Sequence, residues 1–286
     1  MASRIVERID SLEDPRIAEY RNLRDRTLRG ESLFLAEGTL VTRRLLASGY
    51  KVRSLFVARQ FLETFLDLTK ETIPIYYTEE KLISQIVGFP FHGGVLAAGE
   101  RRLPPDLHTM LEPWSALTHL QLLLCPEVTK PENLGLIFRS AAAFRLTGVI
   151  LGHRCCDPLS RRVLRVSMGA VLQMTFCRCE DPVEALQQLR QRCGVATVAA
   201  IVDRSATELP QFTWPARSAV ILGNEFYGLT PEILDRCDFQ VTIPMSPLVD
   251  SLNLGVAASI FAYAMTQARQ GSFSTGAPTQ GDIPRL

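Results

Sequence analysis

Three short segments in the second half of the chain carry polar side chains where an apolar strand gives way to a helix. That is the place where open α/β sheets bind their ligands. In "KPENLGLIFRSAAAF", Lys130 to Phe144, Asn133 stands at a helix start and Arg139 follows among Leu, Ile, Phe and Ala. A guanidinium on an otherwise apolar helix must be paired or exposed, and a side chain of this length can reach back toward the strand ends. At 3.6 residues per turn Asn133 and Arg139 lie about 600° apart, so they do not share one stripe. In "VILGNEFYGLTPEIL" a strand ends in Gly223, Asn224 and Glu225, and Gly228 precedes a helix opened by Thr230 and Pro231. Glycines at such a turn let backbone approach a ligand closely. In "VTIPMSPLVDSLNLGVAASIFAYAM" a strand ends at Pro244, and Ser251 and Asn253 lead into a long apolar helix.

Taken singly, each segment has a plainer account. Asn133 serves as a helix N-cap and Arg139 as a surface arginine with a buried stem. Gly223 to Gly228 make a tight turn with a solvated Glu225. Ser251 caps the last helix, which leaves Asn253 unexplained. No Walker pattern and no GxGxxG is present, so neither a phosphate loop nor a dinucleotide site is supported.

The elements that must position these residues alternate. "DPRIAEYRNLRDR" reads as a helix entered through Asp14 and Pro15, followed by a strand at "SLFLAEG". "LVTRRLLASG" reads as a helix stopped by Gly49, then "VRSLFVA" as a strand; "FLETFLDLTK" with "PIYYT", and "EEKLISQIVG" with "GVLAAGE", repeat the unit. "ERRLPPDLHTMLEPWSALTH" breaks the rhythm with Pro104, Pro105 and Pro113, which places a linker at residues 101–116. Strands resume at "LQLLLC", "GVILGH", "MTFCRC", "ATVAAIV", "SAVILGNE" and "FQVTIPM", with helices between them and a long one after. Runs that are apolar throughout suit the centre of a mostly parallel sheet covered on both faces. The pattern predicts α/β architecture in two domains, residues 1–100 and 117–270, and a disordered tail at 271–286, which is rich in Gly, Ser, Thr and Pro.

At 286 residues, two domains are also the better expectation from length. Hydrophobic content of 47% with 21% charged residues describes a globular protein with a full core. A formal net charge of +1 does not announce a nucleic-acid binder, so any electrostatic argument is local. The N-terminus has no apolar stretch of the kind a signal peptide needs, and no apolar run reaches the length of a membrane span; a cytoplasmic protein without a membrane partner is expected. The seven Cys all lie from Cys125 onward, and neither Cys155-Cys156 nor Cys177-Arg178-Cys179 has zinc-site spacing. Core thiols and no metal are expected.

Taken together and in order, "ENLGLIFRSAAAF", "VILGNEFYGLT" and "IPMSPLVDSLNLGVAAS" resemble the three motifs of the SpoU (TrmH-like) class of SPOUT RNA methyltransferases, over residues 119–268. The first hundred residues, in "IDSLEDPRI" and "LFLAEGTLV", resemble the L30e-like RNA-binding domain that often precedes that catalytic domain. The resemblance implies an α/β domain closed by a trefoil knot, an exception to the un-knotted rule. It also implies a homodimer with active sites near its interface, and S-adenosylmethionine held bent in the knotted loops. By motif position, Leu222, Gly223, Gly228, Ile243, Met245 and Leu252 would line the cofactor. Asn133, Arg139, Glu225, Ser251 and Asn253 would form the catalytic and substrate-positioning set. The implied reaction transfers a methyl group to a ribose 2′-hydroxyl of rRNA or tRNA, which requires the hydroxyl held in line and its proton removed as attack develops. Because an arginine stays protonated far above neutral pH, phosphate anchoring and alkoxide stabilisation weigh at least as heavily for Arg139 as a role as base. The rivals are a non-catalytic RNA-binding relative and a base methyltransferase. The five filled positions favour an enzyme, and Asn133 with Arg139 favours ribose.

Four positions depart from the family's pattern. Lys130 stands where Asp is usual, Arg145 and Phe226 where Gly is usual, and Gly255 where Ser is usual. Six arginines between Arg139 and Arg165 face a single acid, Asp157, within that stretch, and "RIAEYRNLRDRTLR" carries five arginines against two acids. Such clusters fit phosphate-backbone contacts, or else solvated helix faces.

Overall fold

A computed structural model describes residues 4–23 and 32–266. The tail expected at 271–286 and much of the first arginine cluster lie outside the described residues. The first unit runs β1 (Val6–Arg8), β2 (Leu33–Glu37), α1 (Thr39–Leu46), β3 (Val52–Ala58), α2 (Leu62–Leu68), β4 (Ile75–Thr78), α3 (Glu80–Val87) and β5 (Val95–Glu100). Its sheet has the order β1-β4-β3-β5-β2, with β1, β4 and β3 parallel and β5 antiparallel to both β3 and β2. The helix expected from Asp14 is a 3-10 segment, Pro15–Tyr20, in which Ile17 leaves helical geometry at φ −117°. Asp14 accepts from the Arg16 amide, as an N-cap should, but Ile17 and Tyr20 turn into the core and the segment goes no further as a helix.

The second unit runs α4 (Leu107–Ser115), β6 (Leu120–Cys125), α5 (Pro131–Ala143), β7 (Gly148–Gly152), α6 (Arg161–Val166), β8 (Phe176–Cys179), α7 (Pro182–Cys193), β9 (Ala196–Ile201), β10 (Thr207–Glu208), β11 (Arg217–Leu222), α8 (Pro231–Arg236), β12 (Phe239–Thr242) and α9 (Leu254–Met265). The stretch 101–116, expected as a linker, is a linker only in its first part. Asp106 caps α4 by accepting from the Thr109 amide at 2.8 Å, and Leu107, Leu111 and Trp114 are buried in the same apolar cluster as Leu186 and Leu189 of α7. The helical spacing of Leu107, Leu111 and Trp114 runs through Pro113, which sits inside α4.

All seven strands of the second sheet are parallel, in the order β10-β12-β9-β11-β6-β7-β8. From β6 the chain moves outward through β7 and β8, then returns to the other side of β6 to build β9 and β11. The order therefore reverses between β6 and β11, and a crevice opens outside their carboxyl ends. Gln121 of β6 donates from Nε2 to the Met265 carbonyl at 2.5 Å, which fastens the end of α9 to the centre of this sheet.

The two units share a core. Phe34, Val41 and Leu45 of the first belong to one buried cluster with Leu164 and Val171 of the second. Polar ties cross the same junction: Arg101 grips Asp157 through both terminal nitrogens at 3.0 and 2.7 Å, Arg161 pairs with Glu37 at 2.8 Å, and Arg44 donates to the Met168 carbonyl at 2.9 Å. Two further arginines of the second cluster also find acids, Arg162 at Glu132 (2.7 Å) and Arg154 at Glu127 (3.3 Å). The count along the sequence therefore overstated the charge available to RNA, because folding brings Glu37, Glu127 and Glu132 to arginines that looked unopposed.

All seven cysteines are free, five buried and two half-buried. Burial pushes every one of their thiols up, Cys155 to about 11 and Cys156, Cys179 and Cys237 to about 12. Among the described residues no group of three His, Cys, Asp or Glu is placed to hold a metal, and no helix is long and apolar enough to cross a membrane.

Candidate functional site

Three loops leave the carboxyl ends of β6, β11 and β12, and each delivers one polar side chain to a common point. The β6 loop enters α5 through Lys130 and Pro131, so Asn133 is the third residue of the helix rather than its cap, and it is buried. The β11 loop carries Glu225. The β12 loop ends in Asn253, which caps α9: its Oδ1 accepts from the Gly255 and Val256 amides at 2.9 and 3.3 Å. The expectation that Ser251 caps this helix is thus corrected. Asn253, which had no explanation, is the cap, and Ser251 sits outside the helix on the exposed loop.

The cap fixes every other partner in the chain of contacts. Because Asn253 Oδ1 receives two backbone N–H groups, its amide nitrogen must point the other way, and it donates to Asn133 Oδ1 at 2.9 Å. Asn133 is thereby forced to present its own nitrogen to Glu225, donating to Oε1 at 2.8 Å. A helix start thus orients a carboxylate through two amides. The other carboxylate oxygen, Glu225 Oε2, is buried and has no hydrogen-bond partner among the described residues. A buried, unanswered acceptor on an otherwise fully specified network is costly in folding terms and marks where a donor belongs.

These residues border a cavity of about 590 Å³. Its wall includes Asn133, Leu222, Gly223, Glu225, Gly228, Ile243, Met245, Ser251, Leu252 and Asn253, which is every expected site residue but one. That size suits a ligand of cofactor dimensions. Leu222, Ile243, Leu252 and Phe261 supply apolar wall. The floor depends on two glycines. A Cβ on Gly223 would lie 2.5 Å from the Gly228 carbonyl carbon, and Gly228 adopts φ +68°, a region that favours glycine. Asn224 closes the loop between them, exchanging backbone hydrogen bonds with Gly228 at 2.9 and 3.0 Å while its Oδ1 accepts from the Phe226 and Tyr227 amides at 2.8 and 3.3 Å. Asn224 was not among the expected site residues. Its signal was present in the sequence, as an Asn two residues ahead of the amide it holds.

Arg139 does not line this cavity. It lies exposed on α5 on the side near Arg44 of α1, close enough for the two positive charges to oppose each other. Within one chain, Asn133 spends its amide on Glu225 and Asn253, and Arg139 stands apart from that network. Three of the four departures also find local reasons. Gly255 is required because a Cβ there would come within 2.7 Å of Leu136, and Lys130 reaches over the ring of Phe226, 4.7 Å from its centroid. Arg145 holds φ +53° just beyond the end of α5, a backbone region easier for the Gly usual there.

A family model described as the SpoU rRNA Methylase family matches residues 121–263. The chain is 34% identical over 265 residues to a tRNA/rRNA methyltransferase of Mycobacterium bovis, with 90% of each chain covered. It is 29% identical over 217 residues to the 23S rRNA (guanosine-2′-O-)-methyltransferase RlmB of Acinetobacter baylyi, covering 74% of this chain and 86% of the relative. Among solved structures, the AdoMet-bound rRNA methyltransferase from Sinorhizobium meliloti superposes with a TM-score of 0.77 at 26% identity, covering 92% of this chain and 98% of that one.

Proposed function

The chain belongs to the SpoU rRNA methylase family, and from that premise we propose that it is an S-adenosylmethionine-dependent methyltransferase that modifies a ribose 2′-hydroxyl in rRNA or tRNA in the cytoplasm. The observation that carries this reading is the Asn253–Asn133–Glu225 relay, which ends, at the edge of a cofactor-sized cavity, in a buried carboxylate oxygen with no donor among the described residues. The AdoMet-bound rRNA methyltransferase relative supports the cofactor and the RNA, and the RlmB relative supports the ribose.

The residues present fit S-adenosylmethionine. Leu222, Ile243, Met245 and Leu252 would face its apolar parts, and Gly223 and Gly228 would let its polar edges meet backbone directly. When bound, the cofactor supplies a methyl group on a positively charged sulfur. The rest is done by the chain. Glu225 Oε2 accepts the hydrogen bond of the ribose hydroxyl, which orients the oxygen and gives its proton a place to go as attack develops. Asn133 keeps Glu225 aimed, and Asn253 keeps Asn133 in the one orientation that can donate. Ser251, at the lip, shapes the loop and helps position the incoming strand.

Arg139 enters as the second half of a composite site. α9 is apolar almost all round, yet Val256 and Tyr263 remain 45% and 57% exposed in a single chain. A helix of that composition calls for cover, and a second copy is the cover we assign. The seam is continuous with α5 and its C-cap, where Ser140 and Phe144 already touch Ser259 and Tyr263. Arg139, exposed and one residue before Ser140 on α5, would serve the neighbouring copy, holding the phosphate beside the ribose and stabilising the forming alkoxide. The trefoil knot and an RNA-binding role for residues 1–100 belong to the same reading. The test is transfer of a labelled methyl group from S-adenosylmethionine to RNA from a strain lacking the protein, fractionated into tRNA and rRNA. Label in one fraction is expected. No label, together with no binding of the cofactor by calorimetry, would favour a non-catalytic RNA-binding relative.

A further inference from the structure

At the rim of the cavity the β11 loop raises two aromatic rings into solvent, Phe226 at 70% and Tyr227 at 88% exposure. Aromatic side chains this bare are unusual in a folded chain and mark a surface that something else covers. The loop under them is held firmly. Asn224 binds both of their amides through one oxygen, Asn224 and Gly228 close the turn with two backbone bonds, and Asn224 Nδ2 donates to Glu127 at 3.2 Å. The rings therefore project from a fixed base. Lys130 stands over the Phe226 ring at 4.7 Å, so a positive charge and a π-face are presented together beside the catalytic carboxylate.

We propose that Phe226, steadied by Lys130, is a stacking platform for an unpaired base of the substrate RNA, the base neighbouring the ribose that enters the cavity. This rests on the RNA methyltransferase reading and adds to it the form of the substrate: the target nucleotide lies in a single-stranded loop or bulge. The chemistry favours such an occupant over a duplex. Stacking needs an exposed base face, which paired RNA does not offer, whereas every unpaired base has one. A cation next to the ring adds attraction for the phosphate that follows the stacked base. Lys130 and Phe226 touch each other, so the charge and the ring form one feature of the rim.

The experiment compares the full chain with Phe226→Ala, Phe226→Leu and Phe226→Trp. Binding of a fluorescein-labelled, mixed-sequence 12-nucleotide single-stranded oligoribonucleotide is followed by anisotropy, beside a duplex of the same length. Removing one base–aromatic stack should weaken single-strand binding on the order of tenfold. Ala and Leu should share that loss, Trp should restore affinity, and duplex binding should not change. Because Phe226 is exposed, the variants should melt with the parent, and S-adenosylmethionine affinity by calorimetry should fall far less than RNA affinity. Equal single-strand affinity in all four proteins would overturn the platform, as would a Leu variant that binds like the parent. A Phe226→Ala protein that sediments as a monomer while the parent is a dimer would also overturn it, by assigning the ring to the subunit interface. If stacking is found but the parent neither binds cofactor nor transfers methyl, the platform stands and the methyltransferase reading fails.

Discussion

At the scale of single residues, one carboxylate is asked to do most. Glu225 is aimed by Asn133 and leaves one buried oxygen unanswered among the described residues. Replacing it by Gln keeps shape and hydrogen-bonding reach but removes the proton acceptor. Glu225→Gln should lower kcat by about 100-fold or more while leaving cofactor affinity nearly intact, since a positioned acid or base contributes about 10²–10⁴. Single-turnover transfer with saturating RNA checks this, and a kcat within about threefold of the parent would rule out proton removal at this atom. The thiols make an independent prediction. Their folded values lie above the ordinary thiol value of about 8.5, so they remain protonated and slow toward alkylating reagents near neutral pH. The sign for stability follows. The protonated form is the one the fold accommodates, so stability is undiminished below about pH 8.5 and is lost as pH rises toward about 12. Melting temperatures at pH 8 and pH 10 should show the decline, and a melting temperature that rises with pH would contradict it. Residue identity was readable in the sequence here, and residue role was not. Asn253 was visible but unexplained, because the cap that makes it indispensable exists only once α9 begins at Leu254.

At the scale of elements, function hangs on turns rather than on helices or strands. The β11 loop has no room for a side chain at Gly223, where a Cβ would meet Gly228 at 2.5 Å. Gly223→Ala should force the loop open and abolish measurable cofactor binding by calorimetry. The rest of the fold should survive, with a melting temperature lowered by several degrees, about 2–4 °C per kcal/mol of strain in a domain of this size. Retained cofactor affinity would show that the loop yields cheaply. Most elements were legible from the sequence because their signals are local. A run such as Leu120–Cys125, apolar but for Gln121, marks a buried parallel strand, and Thr230-Pro231 marks a helix start. What was missed depends on tertiary partners. β1 has three residues and exists by pairing with β4. α4 hides among prolines until Trp114 and Leu111 are packed beside α7. The adjacency of β6 and β11, which makes the crevice, is a property of strand order and has no local signal at all.

At the scale of the whole molecule, the shared core between the two units means that they act as one piece, and removing residues 1–100 would strip cover from Leu164 and Val171. Substitution is therefore a cleaner probe than truncation. The placement of Arg139 outside its own chain's cavity makes a prediction that only an assembly can satisfy. In the proposed homodimer, Arg139→Ala and Glu225→Gln should each inactivate the assembly. A mixed dimer of the two should regain activity, because one of its two sites then combines an intact Glu225 with an intact Arg139 from the other copy. Co-purified dimers carrying two different tags would report this, and a mixed dimer as inactive as its parents would place Arg139 in its own chain's site or outside catalysis. The central claim, that this cavity delivers a methyl group to a ribose oxygen, is tested most directly by the product. RNA methylated by the purified protein should be digested completely to nucleosides and resolved by mass spectrometry with fragmentation at the glycosidic bond. The account predicts that the added methyl stays with the sugar fragment, as a 2′-O-methylnucleoside. A methyl that leaves with the base would contradict it and make this chain a base methyltransferase on the same fold.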